Sequence, residues 1–159
     1  MTGTVVGLQR SGGGVPKLPI DEARVLLTGV EGDWQRDRRH HGGPDRAVCI
    51  YSKDLIDALA AEGHPIAPGT VGENVTVSGM PWNTMRPGAR VAIGTALVEL
   101  TDFAPPCTTI RHSFVREEFK RISEKVHPGW SRVYARVIRE GVIRVGDSVE
   151  VVGRSIAAD

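Results

Sequence analysis

Cys107 is the residue in this chain best placed to do chemistry. It closes the run Asp102-Phe-Ala-Pro-Pro-Cys-Thr-Thr109, where two prolines stiffen the backbone after a strand-like segment and present one thiol at its end. A thiolate is a nucleophile and a soft metal ligand, and Arg111 and His112 stand close enough in sequence to favour that form if the loop folds back on itself. The only other cysteine, Cys49, lies inside the alternating run Ala47-Val-Cys-Ile-Tyr51, so it reads as a small buried hydrophobe.

Two polar segments could serve such a thiol. Asp33-Trp-Gln-Arg-Asp-Arg-Arg-His-His-Gly-Gly-Pro-Asp-Arg46 carries four arginines and two histidines in a loop that leads into a strand. Gly42-Gly43 lets backbone N–H groups approach a ligand, and guanidinium groups grip phosphate in bidentate fashion, so the loop reads as a local anion cradle. The competing reading is a solvated surface loop whose arginines pair with Asp33, Asp37 and Asp45. Pro68-Gly-Thr-Val-Gly-Glu-Asn74 is a second glycine-bracketed turn before a strand, where Glu73 and Asn74 could orient a polar ligand, or where Asn74 simply bonds nearby backbone. Zinc on His40, His41 and Cys107 is disfavoured, because adjacent histidines on an extended loop point opposite ways.

The elements that must position these residues are short. Nineteen glycines and ten prolines punctuate runs of alternating polarity, the pattern of a mainly β barrel or sandwich with a few helices rather than of regular βαβ units. Strands are expected at Thr4 to Gln9, Ala23 to Leu27, Arg46 to Tyr51, Asn74 to Val77, Arg90 to Ile93, Ala96 to Thr101, Arg132 to Ile138 and Ser148 to Val152. Gly94-Thr95 marks a two-residue hairpin. Ser52 can cap a helix over Lys53 to Glu62 that ends at Gly63 and Pro65. A second helix is expected from about Ile110 to Val126, with Phe114, Val115, Phe119, Ile122 and Val126 facing the core; its N-terminus would favour a thiolate or anion at Cys107.

At 159 residues the chain is the size of one domain, 1 to 159, able to bury a core without staples. Twenty basic residues nearly balance 19 acidic ones, so no global field draws it to nucleic acid or to an anionic membrane. No charged leader with an apolar core opens the chain and no apolar run approaches the ~20 residues that span a bilayer, which with two separated cysteines leads to the expectation of a cytoplasmic protein. No Gly-x-Ser-x-Gly elbow, Walker loop, dinucleotide fingerprint, Cys-x-x-Cys pair or His-Glu-x-x-His occurs, so hydrolase, nucleotide-dependent and zinc readings lack their usual signatures.

Taken in order, His41-Gly-Gly-Pro-Asp-Arg-Ala-Val48, Gly72-Glu-Asn-Val-Thr-Val77, Pro87-Gly-Ala-Arg-Val91, Pro106-Cys107 and Gly146-Asp147 resemble the MOSC family, the domain found at the C-terminus of molybdenum-cofactor sulfurases. The resemblance runs from about Gly29 to Val152. It implies a β-barrel domain and a molybdenum–molybdopterin cofactor, with Cys107 matching the cysteine that ligates molybdenum in members such as the mitochondrial amidoxime-reducing component. It further implies that His41, Gly42, Gly43, Asp45, Arg46, Glu73 and Asn74, together with Thr108 and Arg111 beside the thiol, hold the cofactor. Pyridoxal phosphate binding is an association of the family alone.

The function implied is reduction of N-hydroxylated or N-oxide compounds. The alternatives are a sulfur carrier or cofactor-handling module in which Cys107 bears a persulfide, and an accessory binding domain with no chemistry. A reductase of this kind would take electrons from separate proteins, a reductase or an iron–sulfur protein, since no electron-transfer motif is present. A sulfur carrier would instead partner a cysteine desulfurase.

Overall fold

The computed structural model describes residues 2–34 and 43–155. All eight expected strands are present: β1 (Thr2–Arg10), β3 (Glu22–Leu26), β5 (Val48–Ser52), β6 (Val75–Ser78), β7 (Ala89–Ile93), β8 (Ala96–Phe103), β9 (Val133–Arg139) and β11 (Ser148–Arg154). Three more, β2 (Leu18–Pro19), β4 (Gly29–Val30) and β10 (Gly141–Arg144), were not foreseen. Two of them are only two residues long, too short to show an alternation.

Around the wall, β1 pairs with β6, β6 with β5, β5 with β9, β9 with β8, β8 with β7, β7 with β11, and β11 returns to β1. Seven strands therefore close a barrel, which leaves none of them with an unpaired edge. Every pairing is antiparallel except β5 with β6. Parallel neighbours need a crossover, and the helix α1 (Lys53–Ala61) supplies it. Ser52 Oγ accepts from the Leu55 amide at 3.1 Å, as a capping serine should, and Gly63 stops the helix at φ +102°. The β7–β8 hairpin turns at Gly94-Thr95, with Ile93 opposite Ala96. β3 pairs with β10 and β4 in a separate three-stranded sheet. Among the described residues no helix is long and apolar enough to cross a membrane.

Alternation decides which side chains fill the barrel. Val48 and Ile50 of β5, Val98 and Leu100 of β8, and Val133, Ala135 and Val137 of β9 point inward to the main core. The opposite phase of β5, Cys49 and Tyr51, points outward and is buried as well. It is covered by an outer layer in which Tyr51 packs with Ile56 and Leu59 of α1 and with Ile110, Phe114 and Ile122.

That outer layer corrects one expectation. The segment from Ile110 to Val126 is not an α-helix; it is three 3-10 turns, Thr108–Ser113, Val115–Glu117 and Phe119–Ile122. Phe114 and Ile122 do reach the core, with Phe119 packed against it, but Val126 is exposed, and tertiary partners capture groups a helix would use. The Val115 amide donates to His64 Nδ1 at 3.1 Å and the Ser113 hydroxyl donates to the Thr70 carbonyl at 3.3 Å. Arg116 and Glu117 take φ of 54° and 58°, which ends any continuous helix there.

Candidate functional site

Cys107 lies on the loop leaving β8, half-buried and in an extended conformation with φ −140° and ψ 179°. It caps a six-residue 3-10 turn rather than a long helix, so the dipole support expected for a thiolate shrinks to the amides of one short turn. Its Sγ lies 2.8 Å from Thr109 Oγ1. A thiolate can only accept, so the Thr109 hydroxyl would donate to it. Thr108 is exposed, and its carbonyl accepts from Arg111 Nη1 at 2.9 Å; Arg111 Nε also faces Glu117 Oε1 at 4.0 Å.

Arg46 lies near the same end of β8, facing Asp102. It ends the 3-10 turn Pro44–Arg46, one residue short of the strand expected to contain it. That turn packs on β8 and β9, and the Thr101 hydroxyl donates to the Asp45 carbonyl. The Arg46 guanidinium stands 5.2 Å from the centre of the Tyr134 ring and 3.9 Å from Asp102 Oδ2. Tyr134 packs with Cys49 and Ala104 on the outward face of β9. Burial pushes its hydroxyl up to about 12, helped by Cys49 and Cys107 and opposed by Arg132 and Arg46. Tyr134 thus lies under the Arg46 guanidinium on this face of β9.

Arg46 also lines a cleft of about 520 Å³ between residues 26–34 and the segment containing Gly43, Pro44 and Ala47. Gly43 is at φ +90° with open space where a Cβ would be. Trp34 is 44% exposed in this cleft, available to a ligand rather than spent on the core. His41 and Gly42, with the three arginines and the histidine that precede them, lie outside the described residues.

Glu73 and Asn74 are placed differently. Both are completely buried. Asn74 Oδ1 accepts from the Cys49 amide at 3.0 Å, while its Nδ2 donates to the Gln9 carbonyl at 3.3 Å and to Asp33 Oδ2 at 3.1 Å. Asp33 is in turn paired with Lys17 at 2.7 Å, with side chains only 4% and 6% exposed. Asn74 therefore ties β5 and β1 to the root of the basic loop. Glu73 Oε1 accepts from the Gly69 amide at 3.0 Å, and its Oε2 lies 3.1 Å from the Thr76 hydroxyl, itself 3.2 Å from Gln9 Oε1. Burial pushes the carboxyl up to about 7, against the lowering effect of those bonds and of Arg132.

Cys49 is a buried hydrophobe, 3% exposed, and burial pushes its thiol up to about 11. It is chemically quiet. Three residues of this region, Tyr134, Asp102 and Arg132, were not singled out from sequence. The phase of β9 was the available signal for Tyr134, since Val133, Ala135 and Val137 claim the inner face and leave a tyrosine outside.

Among the described residues no group of three or more His, Cys, Asp or Glu side chains converges as a metal site. Among the described residues Cys107 is a soft donor that would suit a metal bringing its remaining ligands within its own cofactor.

The MOSC domain model matches residues 37–150. YflK of Bacillus subtilis is 30% identical over 144 residues, covering 89% of this chain and 64% of its own. YiiM of Escherichia coli is 28% identical over 148 residues, covering 88% and 64%. The chain thus spans somewhat less than two thirds of these relatives. The crystal structure of YiiM from Escherichia coli matches the fold with a TM-score of 0.73 at 23% identity, over 98% of this chain and 71% of that one. That of YuaD from Bacillus subtilis gives 0.72 at 22% identity over 94% of each.

Proposed function

Because the chain belongs to the MOSC domain family, we propose that it binds a molybdenum–molybdopterin cofactor through Cys107 and reduces N-hydroxylated or N-oxide compounds. The observation that carries this reading is a half-buried thiol on the loop leaving β8, with an arginine stacked on Tyr134 and facing Asp102 near the end of that same strand. When bound, the molybdenum would supply oxygen-atom exchange with substrate. The chain's own residues hold and orient. Cys107 offers the soft ligand, and the Thr109 hydroxyl beside it satisfies the sulfur's remaining acceptor capacity. Arg46 has its guanidinium over the Tyr134 ring and toward Asp102, contacts that favour one orientation of a group able to grip phosphate in bidentate fashion. Gly43 leaves room for a ligand to approach the backbone.

The test is metal analysis and turnover together. Protein made in a cofactor-competent host should carry molybdenum and reduce a hydroxylamine or amidoxime with reduced viologen as donor, standing in for a separate electron-donor protein. Cys107→Ser should lose both metal and activity while remaining folded. Fully loaded protein that is inert toward a broad panel of N-oxygenated compounds, while Cys107 accepts sulfur from a cysteine desulfurase, would replace the reductase with a sulfur carrier.

A further inference from the structure

Arg132 is 5% exposed, and its guanidinium is satisfied by backbone carbonyls rather than by a carboxylate. Nη1 donates to the Val71 carbonyl at 2.6 Å, and Nη2 to the carbonyls of Ala104 and Pro105 at 3.4 and 3.3 Å. Nε has no partner. Such a residue is a poor choice for stability, since burying a charge is costly and an apolar side chain of similar volume commonly does as well or better. What it contacts suggests why it is there. Val71 immediately precedes Gly72-Glu73-Asn74, and Ala104 and Pro105 immediately precede Pro106-Cys107. Pro105 and Pro106 have no N–H to give, so backbone donation cannot anchor this stretch, and its carbonyls are the groups left to tie down.

We propose that Arg132 is a positioning residue that clamps the Cys107 loop to the Gly72-Glu73-Asn74 turn and thereby sets how the thiol is presented. This rests on Cys107 being the functional thiol. The Ala104 amide donates to the Arg132 carbonyl at 2.9 Å, so the same residue holds the start of the loop by its backbone and the following carbonyls by its side chain. A lysine at 132 would keep the charge but reach one carbonyl cluster instead of bridging two.

The experiment is alkylation of the metal-free, full-length protein by iodoacetamide, resolved at each cysteine by mass spectrometry, at a pH high enough that the Cys107 thiolate is fully formed. Arg132→Met should speed Cys107 alkylation by about tenfold, the order expected when one or two hydrogen bonds from a charged donor are lost, with Cys49 still protected. Arg132→Lys should fall between the two. An unchanged Cys107 rate in Arg132→Lys, and in a folded Arg132→Met, overturns the proposal. So does parallel exposure of Cys49 and Cys107 in either variant, since that would make Arg132 a support of the whole wall rather than of the loop. Neither readout involves the cofactor, so a failure of Cys107→Ser to release molybdenum would sink the functional reading and leave this measurement standing.

Discussion

Replacing Glu73 by glutamine should stabilise the protein at alkaline pH and leave it nearly unchanged at acid pH. Glu73 is completely buried, and burial pushes its carboxyl from 4.5 up to about 7. The hydrogen bonds from Gly69 and Thr76 oppose that shift without cancelling it, and the protonated form can also be accommodated. Thr76 has one hydroxyl proton and lies within bonding distance of both Gln9 Oε1 and Glu73 Oε2, so a protonated Glu73 can donate to Thr76 while Thr76 donates to Gln9. A glutamine amide reproduces that donor and keeps an oxygen for the Gly69 amide.

The sign follows from proton counting. Below pH 4.5 the carboxyl is protonated in both states and contributes no pH dependence. Between 4.5 and about 7 the unfolded chain has lost a proton that the folded chain keeps, so stability falls as pH rises; above 7 the loss is complete. At about 1.4 kcal/mol per pH unit, the whole window is worth on the order of 3 kcal/mol. Urea unfolding followed by tryptophan fluorescence, at pH 5 and at pH 8, measures it for both proteins. Glu73→Gln should gain on the order of 3 kcal/mol relative to wild type between those two conditions, with titrations elsewhere cancelling in the difference. An equal difference at both pH values would mean that solvent or a cation reaches the carboxylate, and the buried, protonated assignment would be refuted.

Cys107→Ser should leave the melting temperature unchanged and remove the alkylatable thiol, whereas Cys49→Ser places a hydroxyl among Ala104 and Tyr134 and should cost about 1–3 kcal/mol in urea unfolding. Lys17→Met leaves the Asp33 carboxylate buried without its cation and should destabilise the fold by about 3–5 kcal/mol, again read from denaturant unfolding. Arg46→Glu sets a carboxylate against Asp102 and removes the stacked cation, so cofactor affinity measured by titration should drop by roughly 2–5 kcal/mol; unchanged affinity would make this turn a solvated surface.

Several barrel strands were legible because polar residues alternate with the apolar ones that fill the barrel, as Glu150 does between Val149 and Val151 of β11, whereas β5, buried on both faces, was legible as a short apolar run. α1 was legible because its stop and start are local: a capping serine, then Gly63 and Pro65. The segment after Cys107 was not. Ile110, Phe114 and Ile122 keep helical spacing, yet they meet Tyr51, Ile56 and Leu59 through three separate turns. The bond that breaks the helix comes from His64, 51 residues away. Propensity and period cannot anticipate a partner at that distance.

The candidate site divides along the same line. Cys107 was visible from composition alone, being one of two cysteines and the one outside an alternating run. Glu73 and Asn74 were visible as unusual residues, but their setting was not: both are completely buried, bonded to Gly69, Thr76, Cys49, Gln9 and Asp33. Arg132 was hardest of all, since an arginine at the start of a strand ordinarily reads as solvated. Only its carbonyl partners, 61 residues away at Val71 and 28 at Ala104, turn it into the tie between the two motifs. The residues that could act on a ligand are thus those the sequence displays, while those that hold them in place are ordinary in type and become informative only through long-range contacts.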